Sequence, residues 1–239
     1  MKDLKNKIFI SLFSLNKAET RDQYKLSRFL SLNKINKISK FRFDIDYNRS
    51  LYAELLVLMS LNKNFGLKVN SINMLYNDAG KPYIKNYQNL NLSIAHSGSY
   101  VTVATSLFAV GIDIEVKSKI NFQIISDRYF TEEEQSYIKS RTDFYKVWTA
   151  KESYINYIKL RGVCLKDGLR YFSLRENGKN RFIVKKNNLL TQYYIRCFEN
   201  YKNHILSVCS EQGMFYEFKN VGQTDILNFF FEKKRGIKC

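Results

Sequence analysis

Apolar and polar positions alternate along this chain in two rhythms, and the changes of rhythm lay out an order of elements. A period of two marks half-buried strands; recurrence at three and four marks amphipathic helices. Residues 7–15 read as a first strand, and Thr20–Leu32 as a helix with Tyr24, Leu26, Phe29 and Leu30 apolar and Asp22 in its first turn. Ser31–Ile38 follows as a polar connector dense in cations. Arg49–Asn62 carries Leu51, Leu55, Leu58 and Met59 on one side, and Gly66 is placed to end that helix. Ser71–Tyr76 reads as a strand and Asn77–Gly80 as a turn. Pro82, the only proline, fixes a bend and drives Lys81 toward extended geometry. Asn91–His96 and Tyr100–Leu107 are two strands joined by Ser97-Gly98-Ser99.

The second half keeps both rhythms. Val110–Glu115 alternates strictly as a strand, and Asn121–Arg128 is helical. Thr131-Glu132-Glu133-Glu134 is a capping box opening a helix that runs to Ser140. Phe144, Val147, Trp148, Ile155 and Ile158 predict a helix over 144–160, stopped by Gly162. Tyr171–Leu174, Arg181–Lys185, Tyr193–Phe198 and Ile205–Cys209 alternate as four strands, so this half is α+β with an antiparallel sheet. The tail from Phe215 to Cys239 carries Phe229-Phe230-Phe231, expected to pack back on the body rather than stand exposed.

Composition narrows the class. With 45% apolar and 15% aromatic residues, the 239-residue chain can bury one large core or two smaller ones, which excludes a disordered chain. No apolar run approaches the roughly 20 residues of a membrane span. Ile8–Leu15 is short, broken by Ser11 and Ser14, and lacks a cleavage site, so it is not read as a signal peptide. Cys164, Cys197, Cys209 and Cys239 show neither zinc nor disulfide spacing, so reduced thiols in a cytoplasmic protein are expected. A net charge of +17 attracts polyanions: nucleic acid, an acidic protein partner, or a phosphate-rich cofactor. No helix-turn-helix, RNP or zinc-finger pattern supports the first of these.

The candidate chemistry lies in two stretches. Asp113 and Glu115, two apart on a strand, leave one face while Ile112 and Ile114 leave the other. Paired carboxylates are costly to bury without a cation, and a hard divalent ion is one compensator. The bland alternative is an exposed strand with its acids on the wet side. On the following helix Lys151 falls inside the apolar stripe and Glu152 on its border, where a surface helix should not place charge unless that face lines a site.

Gly111-Ile112-Asp113-Ile114-Glu115 and Trp148-x-x-Lys151-Glu152-Ser153 together resemble the paired signature of the 4′-phosphopantetheinyl transferases, in particular the surfactin-synthetase-activating (Sfp) type. Phe43-x-x-Asp46-x-x-Arg49-Ser50-Leu51, Gly80-Lys81-Pro82 and Ser93-Ile94-Ala95-His96-Ser97-Gly98 agree in order and spacing. The resemblance covers residues 30–210 and implies two similar α+β halves with antiparallel sheets, a pseudo-dimer in one chain, with the active site in the cleft between them. It implies an N-terminal half over residues 1–107 and a C-terminal half over 108–212, leaving 213–239 as an extension without an assigned role. It further implies transfer of the phosphopantetheine arm of coenzyme A to a serine of an acidic acyl or peptidyl carrier protein, releasing 3′,5′-ADP.

By the same resemblance Asp113, Glu115 and Glu152 hold Mg²⁺, or Mn²⁺ in its place. Glu115 through a water, or Glu152 directly, takes the serine proton, and Glu152 is favoured. Lys34, Lys37, Ser50, Lys81 and His96 map to phosphate contacts with Arg49 beside them. Lys151 is expected to orient the phosphates or to pair with a metal-site carboxylate, the first being favoured. Trp148 is expected in the core, and His204 as a structural histidine. Two departures stand out: Ala95 replaces a serine, and Asn156 stands where the family has a lysine, one turn past Glu152. Lys159, on nearly the same face but about 10 Å farther along the axis, is the candidate substitute. Tyr157–Leu169 and the strand after it carry Lys159, Arg161, Lys166 and Arg170, a basic dock for the carrier. A monomer is expected. The competing readings are the same fold with weakened or lost activity, and a basic nucleic-acid-binding protein.

Overall fold

The computed structural model describes residues 4, 6–15, 22–159, 168–201 and 203–231. In chain order its strands are β1 (Lys7–Ser14), β2 (Met74–Tyr76), β3 (Pro82–Ile84), β4 (Asn91–Ser97), β5 (Tyr100–Ser106), β6 (Gly111–Val116), β7 (Ser173–Glu176), β8 (Arg181–Lys186), β9 (Leu189–Tyr201), β10 (His204–Glu211) and β11 (Phe215–Val221). Its helices are α1 (Gln23–Ser27), α2 (Leu32–Ile38), α3 (Asp44–Phe65), α4 (Phe122–Tyr129), α5 (Glu132–Tyr137), α6 (Arg141–Ile158) and α7 (Gln223–Phe231). The fold is α+β. One large sheet runs β11-β1-β5-β4, a second β6-β10-β9-β8-β7, and β2 and β3 form a two-stranded ribbon; pairing is antiparallel except between β1 and β11.

Alternation along the strands decides how these layers stack. On β1, Ile8, Ile10 and Leu12 join Ala104, Val110, Ile112, Ile114, Leu206 and Val208 in a cluster between the two sheets. Phe13, one step out of phase, joins the cluster built on α3. β1 therefore reads as a continuous apolar run because both its faces are covered. The second sheet turns its other face, through Phe182, Ile195, Cys197, Ile205 and Cys209, onto α6. The order of layers is α3, sheet, sheet, α6.

Periodicity predicts one apolar stripe on α3, whereas every residue from Leu51 to Leu61 is buried. The sheet covers one side; α1, α2 and α7 contact the helix as well. A helix buried all round carries apolar residues all round. It ends at Gly66 in the left-handed conformation (φ 74°), as its position predicts.

Three local expectations change. The helix predicted over 20–32 is only α1, and the polar connector is itself helical, α2, with the Ser31 hydroxyl accepting from Lys34 N at 3.2 Å. A Ser cap and a single buried Ile38 give too faint a periodic signal among so many cations. The predicted strand at 71–76 is shortened to β2 by a 3-10 turn over Val69–Ser71. α5 ends at Tyr137, and β7 begins at Ser173 after another such turn. Gly162, Cys164, Arg161, Lys166 and Cys239 lie outside the described residues. Among the described residues Cys197 and Cys209 are buried free thiols, and no helix is long and apolar enough to cross a membrane.

The stretch 213–239 supplies β11, the edge of the first sheet beside β1, and α7, whose Ile226, Phe229 and Phe230 enter the α3 core. Phe230 lies 4.7 Å from the Phe29 ring, and Gln223 donates to buried Asp22 at 2.9 Å. The last described helix thus braces the segment leading into α2, which carries Lys34 and Lys37.

Candidate functional site

Gly111 opens β6 where α6 crosses it. A Cβ there would collide with the Ser153 carbonyl oxygen and come within 2.5 Å of Tyr157 N and 2.9 Å of its Cα. The helix therefore rests directly on the strand backbone. Since Ile112 and Ile114 fill the space between the sheets, Asp113 and Glu115 leave β6 on the α6 side, toward Glu152. The Asn156 amide fastens the same crossing by donating to Ile112 O at 3.0 Å.

The three carboxylates feel one another. Burial first, then the charges of Glu115 and Glu152, holds the Asp113 carboxyl well above the usual range, against the pull of Lys159. Burial also raises Glu152, with Lys159 lowering it and Glu115 raising it. Glu115 is raised by burial, partly offset by the Ser97 hydroxyl donating to its Oε2 at 2.6 Å. Asp113 Oδ2 is buried with no hydrogen-bond partner, a costly arrangement for an anion. Among the described residues no three His, Cys, Asp or Glu side chains are drawn tightly enough to close on a metal ion as they stand. The donor chemistry nevertheless fits a hard cation: carboxylate oxygens, mutually repelling, one of them orphaned.

Asp113 lines a cavity of about 490 Å³, large enough for a cofactor segment, whose other walls come from α2, α3, β4 and the turn before β3. Of the residues expected at phosphates, Lys34, Ser50 and His96 line it. The Lys34 ammonium sits 3.3 Å from Glu54 Oε2 and 3.3 Å from the Tyr76 hydroxyl. Lys37 stands 5.4 Å from the centre of the same tyrosine ring. Desolvation, then the Arg49 charge, lowers the His96 pKa and so favours its neutral imidazole. Arg49 itself is committed elsewhere: its guanidinium donates twice to Gly98 O, at 2.6 and 3.1 Å, and to Asp46 at 3.0 Å, holding the β4–β5 turn.

Two nominated lysines are spent on structure. Lys81 is buried, its ammonium donating to Val110 O at 2.8 Å and Asn156 O at 2.7 Å, and burial pulls its pKa down to about 7. It ties the first half to the β6–α6 crossing and offers no free ammonium to a phosphate; its neighbours Gly80 and Pro82 line the cavity instead. Lys151 does not face the site either. Its ammonium pairs with Glu134 and donates to Phe172 O at 2.8 Å, fully buried. Glu134 also accepts from Leu174 N at 2.9 Å and, as the capping-box acid, from Thr131 N at 2.8 Å. This pair locks α5, α6 and β7 together. Lys151→Met is expected to cost about 3–5 kcal/mol in urea unfolding, because it strands a buried carboxylate. The double variant Lys151→Met, Glu134→Gln should lose less than Lys151→Met alone.

Lys159 reaches the site by charge: it is the largest opposing influence on Glu152 and acts on Asp113 too. Its Nζ lies 3.5 Å from Asn156 Oδ1, and its carbonyl accepts from Asn77 Nδ2 at 2.8 Å. Trp148 packs among Phe130, Phe144 and Tyr129, a core role as expected. His204 is buried against the Tyr100 ring, 4.5 Å away.

Sequence reasoning misses the serines of β4. Ser93 accepts from Ile112 N at 3.1 Å and Ser97 from Val116 N at 3.1 Å, joining β4 to β6 where no ladder does. Their spacing of four on one strand, hence one face, is the legible signal. Glu54 and Tyr76, which position Lys34, carry no local signal.

The family described as the 4′-phosphopantetheinyl transferase superfamily matches residues 109–209, and the one described as 4′-phosphopantetheinyl transferase, N-terminal, matches residues 18–108. The 4′-phosphopantetheinyl transferase psf-1 of Bacillus pumilus is 31% identical over 177 residues, 71% of this chain and 74% of that protein. The 4′-phosphopantetheinyl transferase gsp of Aneurinibacillus migulanus is 31% identical over 189 residues, covering 76% and 75%. The 4′-phosphopantetheinyl transferase Sfp of Bacillus subtilis is 29% identical over 195 residues, covering 79% and 85%.

Proposed function

We propose, since this chain belongs to the 4′-phosphopantetheinyl transferase family, that it carries the phosphopantetheine arm of coenzyme A to a serine hydroxyl of an acyl or peptidyl carrier protein. The observation that carries this reading is the buried Asp113 carboxylate, its Oδ2 without a hydrogen-bond partner, in the wall of a cavity that Lys34, Ser50 and His96 also line. An oxygen left so is suited to a cation, and the Lys34 ammonium and Ser50 hydroxyl on the same wall to the phosphates that cation neutralises.

In this reading the serine oxygen bonds to the phosphorus bearing pantetheine, and the pyrophosphate P–O bond breaks to release 3′,5′-ADP. Lys34, Lys37, Ser50 and His96 bind the phosphates of coenzyme A, while Arg49 holds the turn that presents His96. Asp113, Glu115 and Glu152 would hold Mg²⁺ or Mn²⁺, which when bound supplies positive charge against the separating pyrophosphate. Glu152, half-buried and raised in pKa, takes the serine proton on its carboxylate. Lys159 takes the place of the lysine that Asn156 lacks. The two sheet-plus-helix halves then stand as a pseudo-dimer with the reaction between them. Carrier docking falls to the basic segment from Lys159 to Arg170, whose Arg170 guanidinium donates to Asp127 O on α4, the helix that exposes Ile124. This reading makes the protein a cytoplasmic monomer.

The deciding experiment incubates the protein with coenzyme A, Mg²⁺ and an apo carrier protein, and weighs the carrier. A gain of one phosphopantetheinyl arm supports the proposal; no gain across fatty-acid, polyketide and peptide carriers refutes it. Lys159→Ala is expected to lower kcat about 10–100-fold with little change in melting temperature, since one charge-stabilising contact is lost.

The raised carboxyl pKa values set a sign for metal dependence. Without a cation the folded protein holds protons that the unfolded chain releases above about pH 4, so these groups cost stability as pH rises through their folded values. Mg²⁺ competes with those protons. The rise in melting temperature on adding Mg²⁺ should therefore be larger at pH 7.5 than at pH 5, and absent in Asp113→Asn.

A further inference from the structure

A second cavity, of about 220 Å³, lies at the edge of the sheet pair away from β4 and β6, where β11 meets β9 and β8. Arg181 and Arg196 line it with Tyr194, Tyr216, Met214 and Glu211. Arg181 on β8 and Arg196 on β9 are directly opposite in register, and their neighbours Phe182 and Ile195 point into the α6 core. Both arginines therefore leave the sheet on its other face, side by side. Like charges so placed destabilise a strand pair. Among the described residues neither has a salt-bridge partner, although acids satisfy several other cations of this chain.

A single exposed arginine would be solvated surface. This pair differs because Arg196 is held in place: its Cζ is 5.2 Å from the Phe198 ring centre and 5.8 Å from that of Tyr216. Those aromatics are themselves anchored by packing of Phe198 on Tyr216 and Phe218, and by the Tyr216 hydroxyl on Ser210 at 3.0 Å. Glu211, the one acid on the wall, sits on the α6-facing side of β10 with the Tyr157 hydroxyl 3.5 Å from its Oε1.

We infer that Arg181 and Arg196 form a binding site for a small phosphoryl anion, separate from the Asp113 cavity. Two guanidinium forks present paired donors that match the oxygens of a phosphate, and a dianion cancels their mutual repulsion. The cavity is large enough for a phosphate or a pyrophosphate. The ligand is either a free inorganic anion or a phosphoryl group carried on a larger molecule.

The test uses the full chain without coenzyme A, whose own phosphates would compete for the site. Inorganic pyrophosphate is titrated by calorimetry, followed by phosphoserine. One pyrophosphate or phosphoserine per chain, weakened at least 10-fold by Arg196→Gln and by Arg181→Gln, supports the site. Tighter binding of phosphoserine assigns it to a carried group, and tighter binding of pyrophosphate to a free anion. Because both substitutions are at exposed positions, folding is checked by melting, and each variant should lose the phosphate-induced rise in melting temperature. Absence of binding, or an unchanged Kd in Arg196→Gln, overturns the inference. The localisation by substitution stands whether or not coenzyme A binds the other cavity, so failure here and failure of the transferase reading are separable.

Discussion

Glu152→Gln is expected to lower carrier modification by at least about 10³-fold while leaving the protein folded, with Asp113→Asn at least as severe. Both substitutions keep side-chain volume and remove a charge. In the folded chain these two charges repel one another across the β6–α6 crossing: after burial, Glu115 and Glu152 raise the Asp113 carboxyl above its ordinary range. Removing one relieves repulsion, so the metal-free variant should melt no lower than the parent protein, and higher at pH 7.5. Loss of activity joined to unchanged or greater stability is the signature of residues kept for chemistry at the expense of the fold. Glu115→Gln should be milder, because the Ser97 hydroxyl at 2.6 Å still has an oxygen to bond. Initial rates by carrier mass, paired with melting curves in chelator, measure both halves. A Glu152→Gln variant retaining more than about a tenth of parental kcat would remove this side chain from the proposed site.

The second large effect is structural. Gly111→Ala should lower stability by about 3 kcal/mol or more and leave little soluble protein, since overpacking against backbone cannot be relieved by a rotamer change. The new methyl would meet the Ser153 carbonyl and the Tyr157 amide, both within the hydrogen-bonded helix. Either α6 lifts off β6 or the strand bends. Lifting α6 moves Glu152 from Asp113 and pulls Asn156 from Ile112 O, so residual soluble protein should also be inactive. Soluble yield and the urea midpoint check it; a parental midpoint would show that the crossing has slack. Gly111 has no left-handed φ, so this effect is one of contact rather than backbone strain.

Both predictions depend on facts of different legibility. That Asp113 and Glu115 share a face follows from a strand's period of two, and Ile112 and Ile114 occupy the intersheet core accordingly. The capping box at Thr131, the stop at Gly66 and the packing of Trp148 on Phe144 were equally local, each written in a handful of neighbouring residues. The α2 helix was not, because polar helices held by a cap and one buried contact carry little period.

Long-range partnership is where local reading ended. The place of Lys151 in an apolar stripe pointed to a face lining a site, whereas its acceptor, Glu134, lies 17 residues away on another helix. Gly80 and Pro82 shaped the backbone around Lys81, but the carbonyls that receive its ammonium belong to Val110 and Asn156, 29 and 75 residues on. The pattern of residues determined the α+β class, most elements, and the face on which each acid stands, since these depend on chain geometry over a few positions. Which lysines stay free for a ligand, and that the last strand and helix complete the first half, was decided only by tertiary packing. A charged group's role depends on who meets it in space, and that is set when distant segments close on one another.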